Sequence, residues 1–110
     1  MTFGINVARF RFAGNPPECP GVYMSKNKRN GMVTYVGESV NIRQRIKRHI
    51  LEGRPFANLK TMEFYWIPMD NRSTSISRRK IEKGLIKKHD PKYNENAGGG
   101  GRIADRRRRQ

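Results

Sequence analysis

The sequence predicts an α+β fold, a small three-stranded antiparallel sheet flanked by helices. Three observations predict it. Two short runs rich in Val, Tyr and Met, residues 21–26 and 32–37, are separated by Asn27-Lys28-Arg29-Asn30-Gly31, whose Asn and Gly suit a hairpin turn. A third run, residues 61–69, alternates Met62, Phe64 and Trp66 with Glu63, Tyr65 and Ile67. Two segments with apolar residues at helical spacing, about 40–52 and 75–89, follow the second and third runs.

At 110 residues the chain supplies one core, enough for a small fold without staples. Its formal charge of +15 argues for a polyanionic partner, and nucleic acid is the commonest polyanion. No apolar run approaches the ~20 residues of a membrane-spanning helix, and Arg9 and Arg11 break the N-terminal apolar residues that a signal peptide needs. No membrane partner is therefore expected, and the default location is cytoplasmic. Cys19 is the only cysteine, so an internal disulfide is impossible. With only His49 and His89 beside it, a zinc cluster of Cys and His ligands is excluded. A bound metal must then rest on carboxylate and water, the chemistry of Mg²⁺ or Mn²⁺.

Residues 1–19 read as a lead-in, in which Val7 to Phe12 alternate apolar and basic residues as a short edge strand does. In the first two runs the side chains alternate, so Tyr23 opposes Val22 and Met24, and Tyr35 opposes Thr34 and Val36. Antiparallel pairing can bring both phenols to one face, as core rings or as reactive groups. Gly37 ends the second strand, and Ser39 suits the N-cap of the first helix, with Glu38 at its positive end. Ile42, Ile46 and Ile50 form the buried stripe of that helix. Arg45 flanks the stripe, where it can reach toward the tyrosines; Arg43, Lys47 and Arg48 point to solvent and suit phosphate contacts. Gly53 and Pro55 close the helix. Phe64 and Trp66 are read as core.

The Ser73-Thr74-Ser75 cluster starts the second helix, Ile76, Ile81, Leu85 and Ile86 give its apolar side, and Asp90-Pro91 stops it. Glu82 lies on or beside that side, either as an (i, i+4) partner of Arg78 or as an inward carboxylate ligand for a divalent cation. Residues 95–110 are a glycine linker and a basic tail. From Gly98 onward five arginines and one aspartate give +4, which leaves +11 on the body.

Gly21-Val22-Tyr23, Tyr35-Val36-Gly37, Arg45, Glu82 and Asn94 occur in the order and spacing of the GIY-YIG nuclease family, which the chain resembles over about residues 20–94. The segment Ile81-Glu82-Lys83-Gly84-Leu85-Ile86-Lys87-Lys88, leading to Pro91-Lys92-Tyr93-Asn94, looks like the nuclease module of the bacterial excision-repair incision enzyme. The resemblance implies a metal-dependent endonuclease that hydrolyses phosphodiester bonds of double-stranded DNA. Glu82 would hold a single Mg²⁺ (Mn²⁺ can substitute), Arg45 would stabilise charge on the phosphate, and Tyr23 would be the general base. Tyr35 would support Tyr23, Asn94 would fix the geometry, and His49 would contact phosphate or act as an auxiliary base.

Two departures stand out. Glu38 occupies a position where many relatives carry a basic or neutral residue, and Gly84 interrupts the second helix. No separate targeting domain is visible, so specificity is expected from body loops, the tail, a partner protein or a dimer. The tail arginines Arg106, Arg107, Arg108 and Arg109 would add salt-dependent affinity for DNA. A single site implies a nicking enzyme, monomeric or transiently dimeric on DNA. A homing-type nuclease of a mobile element or phage is the leading expectation. Restriction-type or repair-type cutters, and a catalytically inactive nucleic-acid-binding module, are the alternatives.

Overall fold

The computed structural model describes residues 16–94. Along the chain lie β1 (Gly21–Asn27), β2 (Val33–Ser39), α1 (Ile42–Leu51), a 3₁₀ turn (Pro55–Ala57), β3 (Met62–Pro68) and α2 (Ser75–His89). The strands form one antiparallel sheet in the order β2-β1-β3. The expected α+β class, a three-stranded antiparallel sheet flanked by helices, is therefore what the chain adopts. The expected lead-in strand over Val7–Phe12 and the basic tail, residues 95–110, lie outside the described residues.

Alternation along the central strand separates two cores. Val22 and Met24 join Val33, Val36, Tyr65, Ile67 and Ile86 on the face covered by α2. Tyr23 joins Ile42, Ile46, Phe56, Phe64 and Trp66 on the face covered by α1 and the 3₁₀ turn. Phe64 and Trp66 are thus core residues, as their pattern suggests. Tyr65 and Ile67 are buried too, because helices cover both faces and β3 has no solvated side.

The register across the hairpin is Tyr23↔Gly37 and Ser25↔Tyr35, then Lys26↔Val33, so Thr34 is an extra residue on β2. The Thr34 hydroxyl donates to the Ser25 carbonyl at 3.1 Å, and the buried Ser25 hydroxyl donates to the Phe56 carbonyl at 2.6 Å. These bonds tie the 3₁₀ turn to the sheet beneath the two tyrosines.

Several boundaries differ from the sequence expectation. β2 runs through Gly37 to Ser39, because the ladder to β1 continues as Val22↔Glu38 and Gly21↔Ser39. α1 is capped by Asn41, whose side chain accepts from the Gln44 amide at 3.1 Å, and not by Ser39. Ser39 braces the turn instead, exchanging hydrogen bonds with Asn41. α2 begins at the expected place with a capping box between Thr74 and Ser77, and ends at Asp90 in the left-handed region. Its buried stripe is Arg78, Glu82 and Ile86, with Ile81 and Leu85 half-buried beside it. Ile76, expected on the apolar side, is 72% exposed.

β2 is an edge strand, and residues 91–94 cover part of that edge. The Tyr93 amide donates to the Thr34 carbonyl at 2.9 Å. The Asn94 side chain accepts from the Val36 amide at 2.7 Å and donates to the Val36 carbonyl at 2.9 Å, as a neighbouring strand would. Replacing Asn94 by alanine should leave both Val36 groups without these partners and cost about 2 kcal/mol in urea denaturation. Asn94→Asp should retain part of that stability, since a carboxylate can accept from the amide but cannot donate to the carbonyl. Equal stability of Asn94→Ala and wild type would show that water replaces both bonds at no cost.

Candidate active site

The site forms at the β2 edge of the sheet, where the two faces meet. An open cleft of about 620 Å³ is lined by Tyr23, Tyr35, Gly37 and Glu38 from the sheet, by Arg45 from α1, and by Ile76, Arg79, Lys80, Glu82 and Lys83 from α2. Four of the residues singled out in the sequence, Tyr23, Tyr35, Arg45 and Glu82, are therefore brought together.

Glycine at position 37 makes the arrangement possible. A Cβ there would lie 2.5 Å from the Tyr23 hydroxyl and 2.6 Å from its ring carbon Cζ. The Tyr23 ring thus crosses the ladder over its register partner and carries its hydroxyl toward the edge strand. Gly21 is equally constrained, since a Cβ would collide with the Ile67 carbonyl and the Ile42 side chain. Both motif glycines are packing requirements, one under the Tyr23 ring and one where β1 meets β3 and α1.

The Tyr23 hydroxyl is 2.8 Å from His49 Nε2, and the Tyr23 and Tyr35 ring centroids are 6.2 Å apart. Tyr35 stacks on Phe56 at 3.8 Å with an interplanar angle of 7°. His49 meets Phe56 and Tyr35 edge-on. Its Nδ1 is buried without a hydrogen-bond partner among the described residues. Burial, and then the Arg45 charge, lower its pKa to about 4, so the imidazole is neutral. Burial also pushes the Tyr23 phenol well up; Tyr35 adds to that, while Arg45 opposes it. The Tyr35 phenol is raised by burial and by Glu82.

Glu82 is 8% exposed. Burial first, then the negative charge of Glu38, raise its pKa to about 7, against the pull of Arg79 and Arg45. Among the described residues it forms no ion pair and accepts no hydrogen bond. Its (i, i+4) neighbour Arg78 pairs elsewhere. Arg78 Nε donates to Glu38 Oε1 at 2.9 Å, and its Nη1 donates to the Ser73 carbonyl and hydroxyl at 2.8 and 2.9 Å. The intrahelical ion pair is thus replaced by one across to β2. Glu38 serves as that partner and not as a dipole residue of α1.

A nearly buried carboxylate without a partner among the described residues, raised in pKa by burial and then by a second carboxylate, gains from a cation. No group of three or more Cys, His, Asp and Glu side chains suited to a metal occurs among the described residues. A cation here would have one protein carboxylate and otherwise oxygen ligands from solvent or a bound anion, which fits Mg²⁺ and not zinc.

Other expected site residues fall outside the cleft. Arg43 is held by the Pro16 carbonyl at 2.8 Å and Glu18 at 2.7 Å. Lys47 and Arg48 are exposed on α1. His49 does not line the cleft and lies behind Tyr23, at 2.8 Å from its hydroxyl. Asn94 grips Val36 from the edge. Arg106 to Arg109 lie outside the described residues. Conversely, the cleft cations Arg79, Lys80 and Lys83 were missed, although their spacing around Glu82 placed them within a turn of it.

A cationic cleft holding one free carboxylate and two phenols, built on this sheet, defines a nuclease-type catalytic domain. The family model of the GIY-YIG catalytic domain matches residues 19–94, and the chain belongs to that family. It is 36% identical over 84 residues to UvrABC system protein C of Protochlamydia amoebophila, covering 71% of this chain and 13% of that protein. It is 39% identical over 85 residues to UvrABC system protein C of Caldicellulosiruptor saccharolyticus, covering 73% and 14%. The chain thus spans only a small part of these curated relatives. Among solved structures it resembles the GIY-YIG N-terminal endonuclease domain of UvrC from Thermotoga maritima. A tyrosine-to-phenylalanine variant bound to its catalytic divalent cation matches at TM-score 0.56 and 33% identity, covering 71% of this chain and 84% of that one. The magnesium-bound domain matches at TM-score 0.54 and 34% identity, covering 71% and 85%.

Two outcomes follow from this geometry. Gly37→Ala should displace the Tyr23 ring and abolish its contact with His49, seen as loss of the Tyr23–His49 coupling in NMR spectra of a still-folded chain; an unchanged ring position would refute the packing argument. In chelator, the folded pKa of Glu82, about 7, lies above its ordinary value of 4.5. Its ionisation therefore costs stability progressively from pH 4.5 to 7, by up to about 3 kcal/mol above pH 7. Glu82→Gln should remove that loss and be the more stable protein at pH 8. Parallel stability–pH curves for the two proteins would contradict the assignment.

Proposed function

We propose that this chain is a Mg²⁺-dependent endonuclease that hydrolyses one phosphodiester bond of double-stranded DNA per visit, an incision of the repair type. The observation that carries the reading is Glu82, a buried carboxylate with no ion-pair or hydrogen-bond partner among the described residues, facing Tyr23, Tyr35 and Arg45 in one basic cleft. Its support from outside is the set of similar domains, which are named as endonuclease domains bound to a divalent cation. The relatives reported above favour repair-type incision over the homing-type reading. Mn²⁺ should substitute.

Glu82 would hold the cation, which when bound neutralises the phosphate and assists the leaving oxygen. Arg45, exposed at the cleft wall, places its planar fork against the phosphate oxygens and stabilises the charge that builds up in the transition state. Tyr23 removes a proton from the attacking water. With His49 protonated on Nε2, the imidazole would donate to the Tyr23 oxygen at 2.8 Å, and Arg45 together with a bound cation would counter the effect of burial and favour the ionised phenol that accepts the proton from water. Tyr35 buttresses the Tyr23 ring from its stack on Phe56, and Asn94 positions β2 through Val36.

No described helix is long and apolar enough to cross a membrane, which suits a cytoplasmic enzyme acting on DNA. We place it on DNA as a monomer or transient dimer, with a partner protein or second domain directing it to its target.

Supercoiled plasmid with Mg²⁺ should be converted to open circles by wild type, and neither with chelator nor by Glu82→Ala. Arg45→Ala should lower the rate by on the order of 10²- to 10³-fold. Tight binding without any cleavage would instead establish a binding module. Because proton and cation compete for one carboxylate, raising Mg²⁺ should move the acidic limb of the rate profile to lower pH; a limb indifferent to Mg²⁺ would remove Glu82 from the metal site.

A further inference from the structure

We infer that the exposed stripe Ile76–Arg79–Lys80–Lys83 of α2 is the wall along which a DNA strand lies, with Ile76 seated on a deoxyribose and the cations on the flanking phosphates. The inference rests on the nuclease reading above and names the surface that holds its substrate.

α2 presents two stripes. Arg78, Glu82 and Ile86, spaced four apart, turn inward. Ile76, Arg79, Lys80 and Lys83, spaced as i, i+3, i+4 and i+7, share the adjoining face and all line the cleft. Lys80 and Lys83 are exposed, and among the described residues neither has an ion pair or hydrogen-bond partner. Among the described residues Arg79 has only a long contact of 3.8 Å to Glu38. These are cations available to an anion.

Ile76 is the odd member. It is 72% exposed although α2 fills its core contacts with Ile81, Leu85 and Ile86. The other large apolar side chains with high exposure, Met32, Val40, Leu51 and Leu59, do not line the cleft. Ile76 alone among them sits in a wall of cations, one helical turn from Arg79 and Lys80. A nucleic-acid strand alternates anionic phosphates with sugars whose faces are C–H, and this stripe offers the matching alternation of cation and hydrocarbon. Sugar and phosphate contacts fix register without reading bases, so the wall would bind any sequence.

The test is equilibrium binding of the full chain to a short fluorescent DNA duplex in chelator, over a series of salt concentrations. Lys80→Ala and Lys83→Ala should each reduce the slope of log affinity against log salt by about 0.9. Ile76→Ala should weaken binding roughly fivefold at every salt concentration with the slope unchanged, because it removes apolar contact and no charge. Ile76→Leu should bind like wild type. Wild-type affinity for Ile76→Ala, or full slopes for the lysine variants, would overturn the inference. Plasmid nicking by wild type is followed in parallel. Nicking with unchanged variants refutes this wall and leaves the nuclease reading intact. The predicted binding pattern without nicking supports the wall and refutes the nuclease reading.

Discussion

The passage of the Tyr23 ring over Gly37 is the constraint on which the site depends. In an antiparallel pair, a residue and its register partner project to the same face, and two side chains would normally share that space. Here one has none, so the other can lie across the ladder. Its hydroxyl is thereby carried from the middle of the sheet to the edge strand. That displacement brings a residue of the α1-covered face within electrostatic reach of Glu82, which belongs to the helix on the opposite face. Without it the phenol would remain a core ring under α1. The Thr34 bulge and the Ser25–Phe56 bond hold the 3₁₀ turn under Tyr35, which in turn bounds the space for Tyr23.

Charge is arranged with the same economy. Two carboxylates and several cations share the cleft, and which pairs form decides what Glu82 can do. Arg78 is one turn from Glu82 and would neutralise it if free. Glu38 and Ser73 engage its guanidinium instead, in a pair that is largely desolvated and geometrically fixed. A buried pair of this kind contributes little net stability, because desolvation offsets attraction, but removing one partner is costly. Its consequence is exclusion: Arg78 is kept off Glu82, and Glu38 adds negative charge near it. Glu82 is left desolvated and repelled, the condition in which a carboxylate gains most from binding a cation. Glu38 thus belongs with Arg78 as one unit linking β2 to α2.

Much of this was legible in the sequence, and the parts that were not share a cause. The hairpin, the stripe of isoleucines on α1 and the stop at Asp90-Pro91 follow from local rules about turns, periodicity and proline. Tyr23, Tyr35, Arg45 and Glu82 were legible as a set because their motifs recur at fixed spacing. Asn41 displaced Ser39 as the cap because the ladder held Ser39 in β2, a contest between strand pairing and helix capping that propensity does not rank. The partner of Arg78, the exposure of Ile76 and the cleft cations depend on how α2 is rotated against a strand some forty residues earlier. Apolar counting placed Ile76 inside because it shares a helix with Ile81, Leu85 and Ile86; the inward stripe instead carries Arg78 and Glu82.

The rotation of α2 has a physical origin. A helix packed on a sheet normally turns its most apolar stripe inward, and this one has a weak apolar preference because its isoleucines and leucine are spread around it. Ile86, with Ile81 and Leu85 beside it, anchors the C-terminal half against Val22, Val33 and Val36. At the N-terminal half the capping box and the bonds from Arg78 to Ser73 and Glu38 take over, and polar contacts set the angle where apolar packing does not. The helix is therefore hydrophobically anchored at one end and electrostatically oriented at the other. Glu82 lies between the two regimes, its backbone fixed by both and its carboxylate claimed by neither. A helix held entirely by apolar packing would have to bury a hydrocarbon at position 82; one held entirely by ion pairs would leave Arg78 and Glu82 to each other.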